Sequence, residues 1–120
     1  MHRVILAFAA FAALITPLVV QATLADDAPA AHVNIVEPHF QPPRAWAYDP
    51  AEVTVPLGSV ITWTNTGSVA HTVTAGDAVS FDSGSLDPQL QFSFTAESVG
   101  AFTYHCSFHP WMTGTITVTQ

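Results

Sequence analysis

Four side chains in this sequence carry soft or borderline donor atoms at a spacing that invites a metal ion. Cys106, His109 and Met112 stand as C-x-x-H-x-x-M within Tyr104-His105-Cys106-Ser107-Phe108-His109-Pro110-Trp111-Met112, and His71 lies well upstream. One thiolate, two imidazoles and a thioether are the donor set of a blue-copper electron-transfer site. Thiolate and thioether suit Cu(I), and imidazole accepts both oxidation states. A plane of three donors with a weak axial sulfur is tolerable to either, so an electron passes with little rearrangement. Each residue taken singly has a plainer reading. His71 reads as an interior histidine with satisfied hydrogen bonds, Met112 as core filler, Cys106 as a small buried hydrophobe and His109 as a solvated loop residue. The coincidence of all four favours the metal. Two histidines and a thiolate also suit zinc, over which copper wins on intrinsic affinity.

Something must bring His71 to the C-terminal run, and short strands are the candidates. Runs of β-branched and aromatic residues recur at 33–36, 45–48, 52–55, 60–65, 70–74, 91–94, 101–106 and 115–119. Pro42-Pro43, Pro56-Leu57-Gly58, Thr66-Gly67-Ser68, Ala75-Gly76-Asp77, Gly84 and Gly100 separate them, as turn chemistry requires. Alternation assigns faces: Ile61 and Trp63 point one way, Thr62 and Thr64 the other. Ile116 and Val118 likewise alternate with threonine. By the same parity Phe102, Tyr104 and Cys106 point inward and His105 outward, while His71 shares a face with Val73. One buried and one wet face per strand predicts antiparallel sheets over a common core. The expected fold is an all-β, Greek-key sandwich of about 7–8 strands.

Composition narrows the function classes. The chain has 120 residues, one cysteine, 9% charged residues and a net charge of −7. With no lysine and two arginines, it lacks the basic footprint of a nucleic-acid binder. A single cysteine excludes an internal disulfide framework and a cysteine-rich zinc module. The apolar excess sits at the start, where Met1-His2-Arg3 precedes an apolar stretch over 4–20 and small residues around Ala22 and Ala25. That is the pattern of a secretory signal peptide. The expected organisation is a cleaved signal over 1–25, a flexible Ala/Pro-rich lead-in over 26–32 and one domain over 33–120. The mature chain is then periplasmic or otherwise exported, without membrane insertion, and is expected to be a monomer. Cleavage removes Arg3 and leaves Arg44 facing nine carboxylates. In an oxidising compartment the lone cysteine needs an explanation, and a metal-bound thiolate is one.

The run YHCSFHPWM followed by TGTITV resembles the ligand loop and last strand of the cupredoxins, in the short-loop version found in amicyanin. Upstream, PAEVTVPLGSVITWTN, AHTVTAGD, FDSG and FTYHC follow the segment order of amicyanin- and plastocyanin-like proteins. The resemblance covers about 33–120. It implies that His71, Cys106, His109 and Met112 are ligands of one type 1 copper at one end of a Greek-key sandwich, and that the protein is a soluble single-electron carrier. Many members of the family read Pro-His-Asn at the first ligand, where this chain has Ala70-His71-Thr72. The Thr72 N–H remains available to the cysteine sulfur, but the asparagine amide is gone, and Asn65 and Ser107 become candidates for hydrogen bonding around the site.

His109, on the loop, is the expected solvent-facing edge of the site. Phe108, Pro110 and Trp111 around it form an expected docking surface for a redox partner, a cytochrome or oxidoreductase. The acidic balance favours a partner with a basic patch. Two other functions use the same residues. A copper storage or delivery protein needs the same ligands and differs in releasing the ion. A copper enzyme is disfavoured: His105 beside Cys106 resembles the arrangement in copper nitrite reductases and multicopper oxidases, but the H-x-H pairs of those enzymes are missing. His32 and His39 are isolated and read as solvated. The protein is expected not to be an enzyme.

Overall fold

The computed structural model describes residues 28–77 and 79–120. The expected signal peptide lies outside the described residues. Apolar residues alternating with threonine, serine and glutamine build eight strands: β1 (Ala30–Val36), β2 (Ala47–Asp49), β3 (Glu52–Pro56), β4 (Val60–Asn65), β5 (Thr74–Ala75), β6 (Gln91–Thr95), β7 (Gly100–His105) and β8 (Thr113–Thr119). They form two four-stranded sheets, β2-β1-β4-β6 and β3-β8-β7-β5. The all-β sandwich follows as expected.

Burial follows the alternation closely in β4 and β8, where Ile61, Trp63, Asn65, Gly114, Ile116 and Val118 turn inward. Trp63 is the central plate of the core, packed against Phe81, Phe92 and Tyr104. Gly114 pairs with Tyr104 across the β7–β8 ladder, and the Tyr104 ring occupies the space a Cβ there would need, 2.2 Å away. Only glycine permits that packing.

Three expectations are corrected. The sheets are mixed, since β1 and β4 run parallel, as do β3 and β8. The chain steps from β2 in one sheet to β3 in the other before returning to β4, so only β1–β2 and β7–β8 are neighbours in both chain and sheet among the described strands. Alternation reports burial and is silent on strand direction. The run at 45–48 splits into a 3-10 turn, Pro43–Ala45, and β2, because Pro42 and Pro43 offer no N–H to a ladder. The lead-in shortens, because Ala30–His32 pair with Val60–Thr62 as the first half of β1.

The parallel pairing of β1 and β4 brings their C-terminal ends together, with Ile35 beside Asn65. The segments that leave those ends, 37–46 and 66–73, meet the 106–112 loop that joins β7 to β8. Among the described residues, no helix is long and apolar enough to cross a membrane.

Candidate metal centre

The loop after β7 is built on a three-residue repeat. The His109 N–H donates to Cys106 O (3.3 Å), and the Met112 N–H donates to His109 O (2.9 Å). Pro110 occupies the second position of that second turn, where its fixed φ belongs. The Cys106 N–H then donates to Met112 O (3.1 Å) and closes the loop. The C-x-x-H-x-x-M spacing is therefore also the hydrogen-bond spacing, which stacks Cys106, His109 and Met112 at one pole. Cys106 and Met112 are buried and His109 is half-buried.

His71 arrives from the other side. The segment 70–74 is not the regular strand expected. His71 makes an isolated bridge with Leu86, and only Thr74–Ala75 form β5. Residues 71–75 are all buried, on both faces, because the threonines turn toward the ligand loop instead of solvent. Thr72 Oγ1 accepts the Ser107 N–H (2.7 Å) and lies 2.9 Å from Thr74 Oγ1. Thr74 Oγ1 is 3.1 Å from Ser107 Oγ. Where the asparagine of the family pattern is missing, Thr72 thus ties the loops together by its hydroxyl. Its backbone N–H donates to Cys106 Sγ at 3.3 Å. Tyr48 donates its phenol to Thr72 O. Burial above all, with the Cys106 charge adding to it, pushes that phenol well above its usual pKa and keeps it a donor.

Three donor atoms converge. Cys106 Sγ lies 3.9 Å from His71 Nδ1 and 3.5 Å from His109 Nδ1, and the two Nδ1 atoms are 3.2 Å apart. Nitrogen and sulfur donors held about 2.0 and 2.3 Å from one ion in a plane stand about 3.5–3.7 Å apart, so the triangle fits a single first-row ion. Burial, foremost, lowers the His71 pKa, with the His109 charge acting the same way and Glu37 opposing it. The ring is thus held in the neutral form that binds metal. Met112 is buried with Cys106 in the hydrophobic core.

Other sequence candidates fall into place around the triangle. Asn65 is buried and clamps the segment before His71: its amide donates to Val69 O and Leu86 O (2.8 Å each) and its carbonyl accepts the Gly67 N–H (2.9 Å). Phe108 and Trp111 are 53% and 46% exposed beside His109. His32 and His39 are exposed and away from the triangle, and His105 pairs across the ladder with Thr113. Two neighbours were not singled out in the sequence. Trp46 stands edge-on to both imidazoles, at 5.7 Å from His71 and 5.0 Å from His109. Glu37 approaches His71 from behind. Both come from the segment after β1, whose position depends on a parallel pairing that local sequence does not reveal.

Residues 42–119 match the family model for copper binding proteins of the plastocyanin/azurin family. The chain belongs to that family. Its fold is that of the cupredoxins and its cofactor is copper. Amicyanin-alpha of Methylorubrum extorquens is 30% identical over 91% of this chain and 96% of its own length. Amicyanin of Paracoccus denitrificans is 29% identical over 59% of this chain and 57% of its own, so this chain spans little more than half of that relative. A purple cupredoxin from Nitrosopumilus maritimus superposes with a TM-score of 0.66 and 33% identity, covering 74% of this chain and 99% of that one. The donor chemistry fits the family's metal: one sulfur and two imidazole nitrogens of this cupredoxin meet within 4.8 Å at a mostly buried pole.

Proposed function

We infer that this protein is an exported single-electron carrier in which His71, Cys106, His109 and Met112 would hold one type 1 copper. The observation that carries the reading is the convergence of Cys106 Sγ with two imidazole Nδ1 atoms within 4.8 Å. Bound copper supplies a Cu(I)/Cu(II) couple at the surface-facing end of the sandwich.

The chain's own contribution is rigidity and shielding. The donors are held by bonds that need no ion: the turn repeat from Cys106 to Met112, the Thr72 ties to Cys106 and Ser107, and the Asn65 clamp on 67–69. Donors fixed in advance change little between oxidation states, which keeps electron exchange fast. Cys106 and His71 are fully buried, so water is excluded from the thiolate. His109 is the half-exposed edge and the port for the electron. Phe108, Pro110 and Trp111 form the apolar rim on which a redox partner docks, and a basic patch on that partner complements the acidic chain.

A carrier cycles with its metal retained, whereas a delivery protein surrenders it. Repeated oxidation and reduction of the copper-loaded protein in the presence of an apo acceptor with comparable cysteine and histidine ligands separates the two. Retention of copper through many cycles is expected. Transfer to the acceptor on reduction contradicts the carrier reading.

A further inference from the structure

Glu37 is the first residue beyond β1, and its side chain is only 9% exposed. The carboxylate reaches across to the segment that leaves β4 and takes its backbone N–H groups: Ser68 N–H donates at 2.6 Å to Oε2, and Val69 N–H at 3.1 Å to Oε1. Its Oε1 also stands 3.6 Å from His71 Nε2, beyond a normal hydrogen bond but within reach of an ionic attraction. His71 Nε2 is itself fully buried, with no hydrogen-bond partner. Gly67 makes the arrangement possible, because a Cβ there would lie 2.4 Å from Glu37 Oε2. Burial pushes the carboxyl up, but the N–H groups of Ser68 and Val69 and the attraction of His71 outweigh it and leave its pKa below the usual value.

We propose that Glu37 is a positioning residue of the copper site: lodged over Gly67, its carboxylate steadies the His71 ring from behind and favours Cu(II) over Cu(I). Nδ1 of His71 faces Cys106 and His109, so Nε2 is the nitrogen left to carry the proton, and Glu37 Oε1 is the charged atom 3.6 Å from it. Groups behind a metal-bound histidine fix its tautomer and raise its basicity. Cu(II) carries one more positive charge than Cu(I), so a negative group on this axis stabilises the oxidised ion more. The carboxylate also welds β1 to the segment bearing His71, a link absent from any contiguous motif.

This rests on the copper assignment above, and the experiment keeps the two apart. The midpoint potential and Cu(II) EPR spectrum are measured for the wild type, E37Q, E37A, G67A and the E37A/G67A pair. E37Q keeps the shape of the side chain and removes its charge. It is expected to retain the blue spectrum and to shift the Cu(I)-to-Cu(II) affinity ratio about tenfold toward Cu(I), raising the potential by about 59 mV. G67A is expected to raise the potential when Glu37 is present and to add nothing in the E37A background, the non-additivity of groups in contact. An unchanged potential in E37Q, or a G67A shift that persists without Glu37, overturns the proposal. A wild type without a thiolate-to-copper band overturns the copper assignment instead. In that case 15N NMR of metal-free protein still decides the role of Glu37. A dominant Nε2–H tautomer of His71 that is lost in E37A upholds it, and a tautomer indifferent to E37A overturns it.

Discussion

His71 and His109 face the same sulfur, with their Nδ1 atoms 3.2 Å apart, and are held in opposite ways. His71 is completely buried, bridged to Leu86 and backed by Glu37, while Asn65 clamps the segment leading to it. His109 rides on a loop whose backbone-to-backbone bonds are local turns, with exposed Phe108 and Trp111 on either side. Trp46 stands edge-on to both rings. One imidazole is a fixed wall of the site and the other is its door. A carrier needs both: the wall holds geometry through the redox change, and the door gives a partner a short path to the metal.

The widest separation between the two sides is expected when each ring is deleted and free imidazole is supplied. For His109→Gly, added imidazole should restore the blue spectrum, because the vacated space opens to solvent. For His71→Gly it should restore nothing. Rescue of both variants, or of His71→Gly alone, would erase the distinction. Next in size is Asn65→Ala, which removes three hydrogen bonds and leaves Val69 O and the Gly67 N–H without their partner, while Leu86 O keeps the His71 N–H, at about 1–3 kcal/mol for each group left unpaired. A loss of about 3 kcal/mol in urea unfolding of metal-free protein is expected, with no comparable effect from Ser107→Ala on the loop side.

Trp111→Ala should change stability by less than about 1 kcal/mol, since it removes an exposed ring and one hydrogen bond to Pro43 O. It should slow electron exchange with a docking partner about tenfold, an effect equivalent to about 1.4 kcal/mol of association energy. Stopped-flow mixing with the partner reads both rate and salt dependence. The smallest expected effect is an acid limb. His71 and Glu37 both have folded pKa values below their ordinary 6.5 and 4.5, so the unfolded chain binds the extra protons. Stability of the metal-free protein is therefore complete above those values and falls as pH drops, first below 6.5 through His71 and then below 4.5 through Glu37. A urea midpoint that stays flat down to pH 4 would contradict the buried, neutral state of His71.

Much of the site was legible because its signals are local. C-x-x-H-x-x-M reads directly as a spacing of metal donors, and inward parity places Cys106 at the end of β7, whereas the two linked turns behind that spacing are seen only in the structure. His71 was found by its residue type, although the expected strand around it proved to be a single bridge. Thr72 was noted as a departure from the family pattern, yet its hydroxyl tie to Ser107 could be seen only in three dimensions. Glu37 and Trp46 were hidden for a different reason. They reach the site through the parallel β1–β4 pairing and the turn at Pro43–Ala45, and neither the pairing direction nor the turn leaves a periodic trace. Burial patterns announce faces, whereas partners across a sheet are set by topology.

The most direct measurement is the optical and EPR spectrum of the purified protein after addition of Cu(II), beside Cys106→Ser. An intense visible thiolate-to-copper band with a narrow copper hyperfine pattern, lost in Cys106→Ser, is the expected result. An ordinary weak Cu(II) spectrum that the substitution leaves unchanged would mean that Cys106 does not hold the ion, and would contradict the assignment of this pole as a blue-copper site.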